Sequence, residues 1–216
     1  VEQLVDDSSP RVRRECLIAL RTTKSPRVPG MWARLAARHD GRDRWYLEAL
    51  GIAAHGRWDA CLDAWQEKEA DRVKTRAGRD ILWRSRGSRT AAGLARIILD
   101  PDTSLQELPR YLRALDYQAQ EARNLAALQL VLADQGDNPQ RQALVVGEAL
   151  RRITNADLKG NAPAREAIGR LLDQSRGTSQ FVAVVDRFRM SDRYPSLLEL
   201  AWRNPDAQLG IDAVRV

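Results

Sequence analysis

The chain has 216 residues and a mass of 24.3 kDa, with 44% hydrophobic residues, 30% charged residues and a formal net charge of +6. A chain of this length buries roughly 70% of the surface its unfolded form exposes, so the fold requires neither disulfides nor a structural metal. Abundant Leu, Ala, Val and Ile exclude disorder, and the lack of any uninterrupted apolar window of ~18 residues excludes a membrane-spanning helix.

Along the whole chain, apolar residues recur three and four apart and then break at Pro, Gly, Asn, Asp or Ser, which is the helical period. In chain order the pattern predicts helices over 1–6, 10–22, 29–39, 43–55, 57–70, 75–85, 88–100, 104–115, 117–133, 139–154, 162–175, 178–190 and 194–203, with a fragment after 206. Ser9 with Pro10, Asn138 with Pro139, and Asn161 ahead of Pro163 read as helix starts. Gly56, Gly87, Gly136, Gly160 and Gly177 fall between periodic stretches, where helix C-termini favour a residue that tolerates positive φ. Four apolar faces are well defined: Trp58/Cys61/Leu62/Trp65, Ala91/Leu94/Ala95/Ile98, Ala164/Ala167/Ile168/Leu171/Leu172 and Phe181/Val184/Val185/Phe188. Sustained polar–apolar alternation, the signature of a strand, is nearly absent.

Many short helices with short connections predict stacked antiparallel pairs. The run Asp6 to Leu20 has a turn containing Asp and Pro, then Val12-Arg13, a small residue and Ala19-Leu20, and it resembles the second helix of a HEAT repeat. Echoes end at Ala49-Leu50, at Ala127-Leu128 and near Ile168, and the separations of 78 residues (Leu50 to Leu128) and 40 residues (Leu128 to Ile168) match a period of roughly 40. The expected fold is therefore all-α, an α-α superhelix of the HEAT/armadillo-like solenoid type with about 12 to 13 antiparallel helices, forming one domain over 1–216. The chain begins with Val, and its first Met is Met31, which reads as a segment excised from a longer protein.

A narrower resemblance lies in the first half. Val12 to Arg21, Asp40 to Ala54, Trp58-Asp59-Ala60 with Trp65, and Tyr111 to Tyr117 resemble the HEAT-repeat region of large exported bacterial proteins, in which that region joins a sugar-dehydrogenase-type β-propeller to a C-terminal c-type cytochrome domain. The chain lacks the Cys-x-x-Cys-His haem motif and propeller strands. The resemblance thus implies an exported or periplasmic setting and a spacer module that carries no cofactor of its own.

The charge is concentrated. Between Arg72 and Arg96 stand eight basic residues and one acid, Asp80, while the remaining 191 residues carry 27 basic and 28 acidic groups. The candidate binding residues are Arg72, Lys74, Arg76, Arg79, Arg84, Arg86 and Arg89. On one reading they form a solvated face paired with acids such as Asp63, Glu67, Glu69 and Asp71. On the other, Arg84, Arg86 and Arg89 flank Gly87 at a helix junction whose backbone N–H groups add to an anion site.

No pattern proposes a nucleophile, a catalytic residue or a metal site. Cys16 and Cys61 stand inside apolar-periodic stretches, and the two histidines, His39 and His55, lie on different expected helices. The six tryptophans, Trp32, Trp45, Trp58, Trp65, Trp83 and Trp202, are expected to fill gaps between helix layers. In the alternative arrangement, Trp45, Trp58 and Trp65, with carboxylates of Asp43, Asp59 or Asp63 beside them, would form the cleft of a nucleic-acid-binding solenoid resembling the HEAT-like DNA alkylpurine glycosylases. The expected function is a non-enzymatic scaffold or protein-interaction module whose partners are other proteins or neighbouring domains of the same chain, with no membrane insertion. Nucleic acid is the alternative partner.

Overall fold

The structure, a computed structural model, describes all residues except 70–72, 134–137 and 160, and additionally leaves the side chains of 69, 155 and 156 undescribed. The described residues are all-α and contain no strand. The helices are α1 (Pro10–Leu20), α2 (Val28–Ala36), α3 (Arg44–Ala53), α4 (Trp58–Glu69), α5 (Arg76–Arg84), α6 (Thr90–Leu99), α7 (Leu108–Ala114), α8 (Gln120–Leu132), α9 (Pro139–Leu150), the single turn α10 (Asn155–Leu158), α11 (Ala162–Gln174), α12 (Ser179–Phe188), α13 (Tyr194–Arg203) and α14 (Gln208–Arg215). No described helix is long and apolar enough to cross a membrane.

Local chemistry sets the boundaries. Asn138 Oδ1 accepts from Arg141 N at 2.9 Å and Asn161 Oδ1 from Ala164 N at 3.1 Å, so both expected caps form, each with Pro in the first turn. Ser9 occupies the N-cap position of α1 without capping through its side chain; its own N–H donates to Asp7 Oδ1 at 2.8 Å. Gly56 and Gly177 adopt φ of 74° and 86° as helix-terminating residues, whereas Gly87 does not. What Gly87 supplies is space, since a Cβ there would stand 2.6 Å from Asp59 Oδ1 and 3.4 Å from Trp58 Cβ. Gly136 and Gly160 lie outside the described residues.

One expected helix is not present. Residues 1–6 form successive turns closed by Leu4 N to Val1 O (2.8 Å) and Asp7 N to Leu4 O (3.1 Å). Six residues before a Ser-Pro start are too few to offset the cost of nucleating a helix. Val5 is nevertheless fully buried.

The chain divides into two compact units, Val1–Ala126 and Ala127–Val216, and the division falls inside α8. In the first unit α1 packs on α3, α3 on α5 and α5 on α7, while α2 packs on α4. Alternate helices thus stack in rows, because each carries its apolar stripe toward the helix two along as well as toward its hairpin partner. Trp58, Cys61, Leu62 and Trp65 are 6%, 0%, 4% and 0% exposed, so the whole i, i+3, i+4, i+7 face is core. Trp32, also fully buried, meets Trp58 edge-to-face at 5.9 Å and donates Nε1–H to Leu50 O at 2.9 Å, which ties α2 to α3 and α4 at one point.

In the second unit the faces of α11 and α12 are buried throughout, α12 and α13 both pack on α14, and α10 packs on α11. Arg187 of α12 donates to the carbonyls of Arg151 (2.7 Å) and Ile153 (2.9 Å), satisfying backbone acceptors just past the end of α9.

Candidate functional site

The basic segment does not act as a single patch. Arg72 lies outside the described residues, as does the expected acid partner Asp71. Arg79 is buried, with Nη2 donating to Asp100 Oδ2 at 2.8 Å and Nη1 to Thr103 Oγ1 at 2.9 Å. Arg84 donates Nε–H to Glu48 Oε2 at 2.8 Å and its guanidinium lies over Gly51, where a Cβ would collide with it. Arg86 turns back to donate to the carbonyls of Trp83, Arg84 and Ser85, and its guanidinium stands 5.0 Å from the Tyr117 ring centroid. Arg89 pairs with Asp63. Among the described candidates, only Lys74 and Arg76 are exposed with neither an ion pair nor a side-chain hydrogen bond. Of the expected acid partners, Asp63 makes its contact; Glu48 and Asp100 come from α3 and the end of α6, where sequence proximity gives no signal.

The junction at Gly87 does gather an anion, but that anion belongs to the protein. Asp59 Oδ1 accepts Ser88 N–H at 2.7 Å, and Thr90 Oγ1 accepts Gly87 N–H at 2.9 Å. The carboxylate of α4 therefore occupies the place at the start of α6 where an external oxyanion would sit. Nearby, Arg57 donates to the carbonyls of Thr23 (3.0 Å) and Arg21 (3.4 Å) beyond the end of α1. The arginines at this end of the first unit are thus engaged by C-terminal carbonyls and carboxylates.

The opposite end differs. Arg44 and Arg76, the first residues of α3 and α5, line one cleft of about 410 Å³ together with Arg42, His39, Asp80 and Arg110. Gly51 and His55, late in and after α3, line another with Arg84 and Arg86. The two helices therefore run in the same direction, with their positive N-terminal ends together at the first cleft. The loop before α3 is shaped for this: Asp40 Oδ1 accepts from Arg42 N (2.8 Å) and Asp43 N (3.3 Å), and Gly41 at φ 76° brings its backbone against Ala77 at the start of α5.

At the floor of that cleft is a buried polar group. The His39 side chain is 1% exposed and that of Asp80 8%, with Nε2 and Oδ2 3.8 Å apart, beyond hydrogen-bond reach. Neither ring nitrogen of His39 has a hydrogen-bond partner. The ring lies parallel to Tyr46, with centroids 6.2 Å apart, and Tyr46 donates its hydroxyl to Leu35 O at 2.9 Å. Arg110 Nη2 stands 2.6 Å from Asp80 Oδ1, and its guanidinium covers the Trp83 ring at 4.3 Å. Burial pushes the Asp80 carboxyl up, but the His39 ring and the Arg110 guanidinium together outweigh it and hold it below the usual carboxylate range.

Family models, curated proteins and solved structures yield no match to this chain.

The remaining aromatic expectation divides. Trp58 and Trp65 are core residues, while Trp45 is 70% exposed, so the three do not line a shared surface cleft. Among the described residues no three His, Cys, Asp or Glu side chains gather as metal ligands. Cys16 and Cys61 are free and buried, and burial pushes the Cys61 thiol up to about 12. The residues of this cleft that sequence reasoning passed over are Arg42, Arg44, Asp80 and Arg110. Asp80 did leave a signal, as the one acid within the basic segment, whereas nothing in the spacing of 39, 80 and 110 announces that they meet.

Proposed function

We propose that this chain is a non-catalytic helical scaffold, a HEAT/armadillo-like solenoid module that holds protein partners or the neighbouring domains of a longer chain. The observation that carries the reading is the row packing in the first unit, α1 on α3 on α5 on α7 beside α2 on α4, since a stack of helix pairs presents long ridges to partners and adds rows without redesigning its core. The arginine ties support it as well. Arg79, Arg84 and Arg89 link α5 and the start of α6 to neighbouring elements, an arrangement suited to stiffening a stack. The resemblance to the HEAT region of exported dehydrogenase–cytochrome proteins adds the class of neighbour, namely propeller and cytochrome domains.

The competing nucleic-acid reading needs free guanidinium groups in quantity, and four of the described candidates are already engaged. Gel retardation of a short duplex at low salt separates the two. A scaffold leaves the duplex unshifted and instead gives cross-links to a protein partner or to the neighbouring domains of the longer chain. Retention of duplex with log K falling against log salt at a slope near −4.5, as about five phosphate contacts would give, overturns the proposal. So does turnover or haem binding by the chain alone.

A further inference from the structure

The cleft at the N-terminal ends of α3 and α5 has three features that structural stability does not account for. The first is the pair of arginines at the first positions of those helices. Asp43 caps α3, its side chain accepting Tyr46 N–H at 3.0 Å, and Thr75 caps α5, its hydroxyl accepting Gly78 N–H at 3.1 Å, but neither first turn beyond the cap contains an acid, and Arg44 and Arg76 place two cations beside the dipole ends. Together with Arg42 they are exposed and make no ion pair among the described residues. The second is the charge of the lining, where four arginines (42, 44, 76, 110) against Asp43 and Asp80 leave +2. The third is His39, whose side chain is 99% buried at the cleft floor; Asp80 Oδ2 faces its Nε2 at 3.8 Å, but neither ring nitrogen has a hydrogen-bond partner, an arrangement that costs free energy unless something completes it.

We propose that this cleft binds a small phosphate monoester, its phosphate clamped by the guanidinium groups of Arg42, Arg44 and Arg76 with one oxygen turned toward His39, and its ester group laid against Trp83. The ligand class follows from charge and size. A monoester carries close to two negative charges at neutral pH, matching the excess of the lining. Planar guanidinium forks fit phosphate oxygens in bidentate fashion. A cleft of about 410 Å³ lies in the range of small-molecule sites and is too small for a folded partner segment or a duplex. Trp83, half-buried on the wall, offers its indole to an organic group while Arg110 fixes the ring. The site is independent of the scaffold reading, because its clamp, Arg42, Arg44 and Arg76, ties no helices together.

The protein has only two histidines, which makes the test direct. The imidazole proton signals are recorded by NMR at neutral pH while phenyl phosphate, inorganic phosphate and benzoate are added in turn, with His39→Asn assigning the peaks. His55 lies in the other arginine-lined cleft and serves as the internal reference. The expected result is a saturable shift of the His39 signal with phenyl phosphate, weaker saturation with inorganic phosphate and none with benzoate. Arg44→Gln with Arg76→Gln should weaken phenyl phosphate at least about tenfold, while Arg11→Gln with Arg113→Gln, an equal change of charge elsewhere on the same unit, should leave it within about twofold. If the double variant loses its helical circular dichroism, the two single variants replace it, each expected to weaken binding severalfold. No saturable shift of His39 into the millimolar range, equal binding of benzoate, or equal losses in the two double variants overturns the proposal.

Discussion

Replacing Arg110 by Ala isolates the buried carboxylate at the floor of the cleft. Asp80 has an 8% exposed side chain and Arg110 a 39% exposed one, so the pair is buried on one side only. Breaking a fully buried pair costs about 3–5 kcal/mol, and the solvent that reaches Arg110 reduces this to roughly 2 kcal/mol. Loss of the cation–π contact with Trp83 at 4.3 Å adds about 0.5–1 kcal/mol, giving roughly 2–3 kcal/mol in all. Urea unfolding followed by tryptophan fluorescence measures it, because five of the six tryptophans lie at or before Trp83 and so report on the first unit. The pH dependence gives a second reading. In the native protein the Asp80 carboxyl sits below its usual value, so its contribution is complete above the unfolded pKa of ~3.9 and is lost as pH falls through the lower native value. In Arg110→Ala burial is opposed by the His39 ring alone, so the native pKa rises from its lowered value. The deficit is then smallest in acid and grows as pH rises through that raised value. Asp80→Asn combined with Arg110→Ala removes the stranded charge and should recover at least about half of the loss. A loss under about 0.5 kcal/mol, or a double variant no better than Arg110→Ala alone, refutes the reasoning.

The division of the basic segment into engaged and free members gives a further contrast: Arg86→Ala, which leaves three carbonyl contacts unmade, should cost about 1–2 kcal/mol in urea unfolding, whereas Lys74→Ala and Arg76→Ala should stay within about 0.5 kcal/mol. Trp32→Leu removes a fully buried indole, its bond to Leu50 O and its contact with Trp58, and should cost about 2–4 kcal/mol by the same assay. Gly210→Ala places a Cβ into the backbone carbonyl of Asn204, which cannot yield as a flexible side chain would; a loss of about 1–3 kcal/mol should appear in the fluorescence of Trp202, the one tryptophan of the second unit. With its thiol pushed up to about 12, Cys61 should react with a disulfide reagent at pH 8 at least ~100-fold more slowly in the folded protein than in urea, and equal rates would show that the thiol is not sealed in the core.

Much of the fold was legible because it rests on short-range rules. The Asn138 and Asn161 caps, the Pro residues that follow them and the four apolar faces all operate within one or two helical turns, and each appears in the structure where the sequence places it. The illegible parts depend on separation in sequence. Arg84 meets Glu48 across 36 residues, and His39, Asp80 and Arg110 come from a loop, α5 and α7. Gly87 looked like a helix terminator, but its role is to let Asp59 approach, a constraint set by a helix 28 residues earlier. The segment 1–6 has the right composition for a helix and lacks the length.

The direction of the helices explains what net charge alone could not. Arginine placed past a helix C-terminus has an evident structural use, and three sites show it: Arg57 on the carbonyls after α1, Arg86 on those of α5, and Arg187 on those after α9. These three arginines are thereby accounted for by backbone acceptors that would otherwise lack a partner in the protein. The same residue at a helix start works against the dipole and gains nothing from the backbone. Arg44 and Arg76 stand at such starts, on adjacent helices that run the same way, with a third free guanidinium at Arg42 between them and the unpartnered His39 below. Asp43 and Thr75 already cap those two starts, so Arg44 and Arg76 have no backbone role there. The three unpaired cations gathered at this cleft, Arg42, Arg44 and Arg76, are the feature that a bound dianion would turn from a cost into a gain.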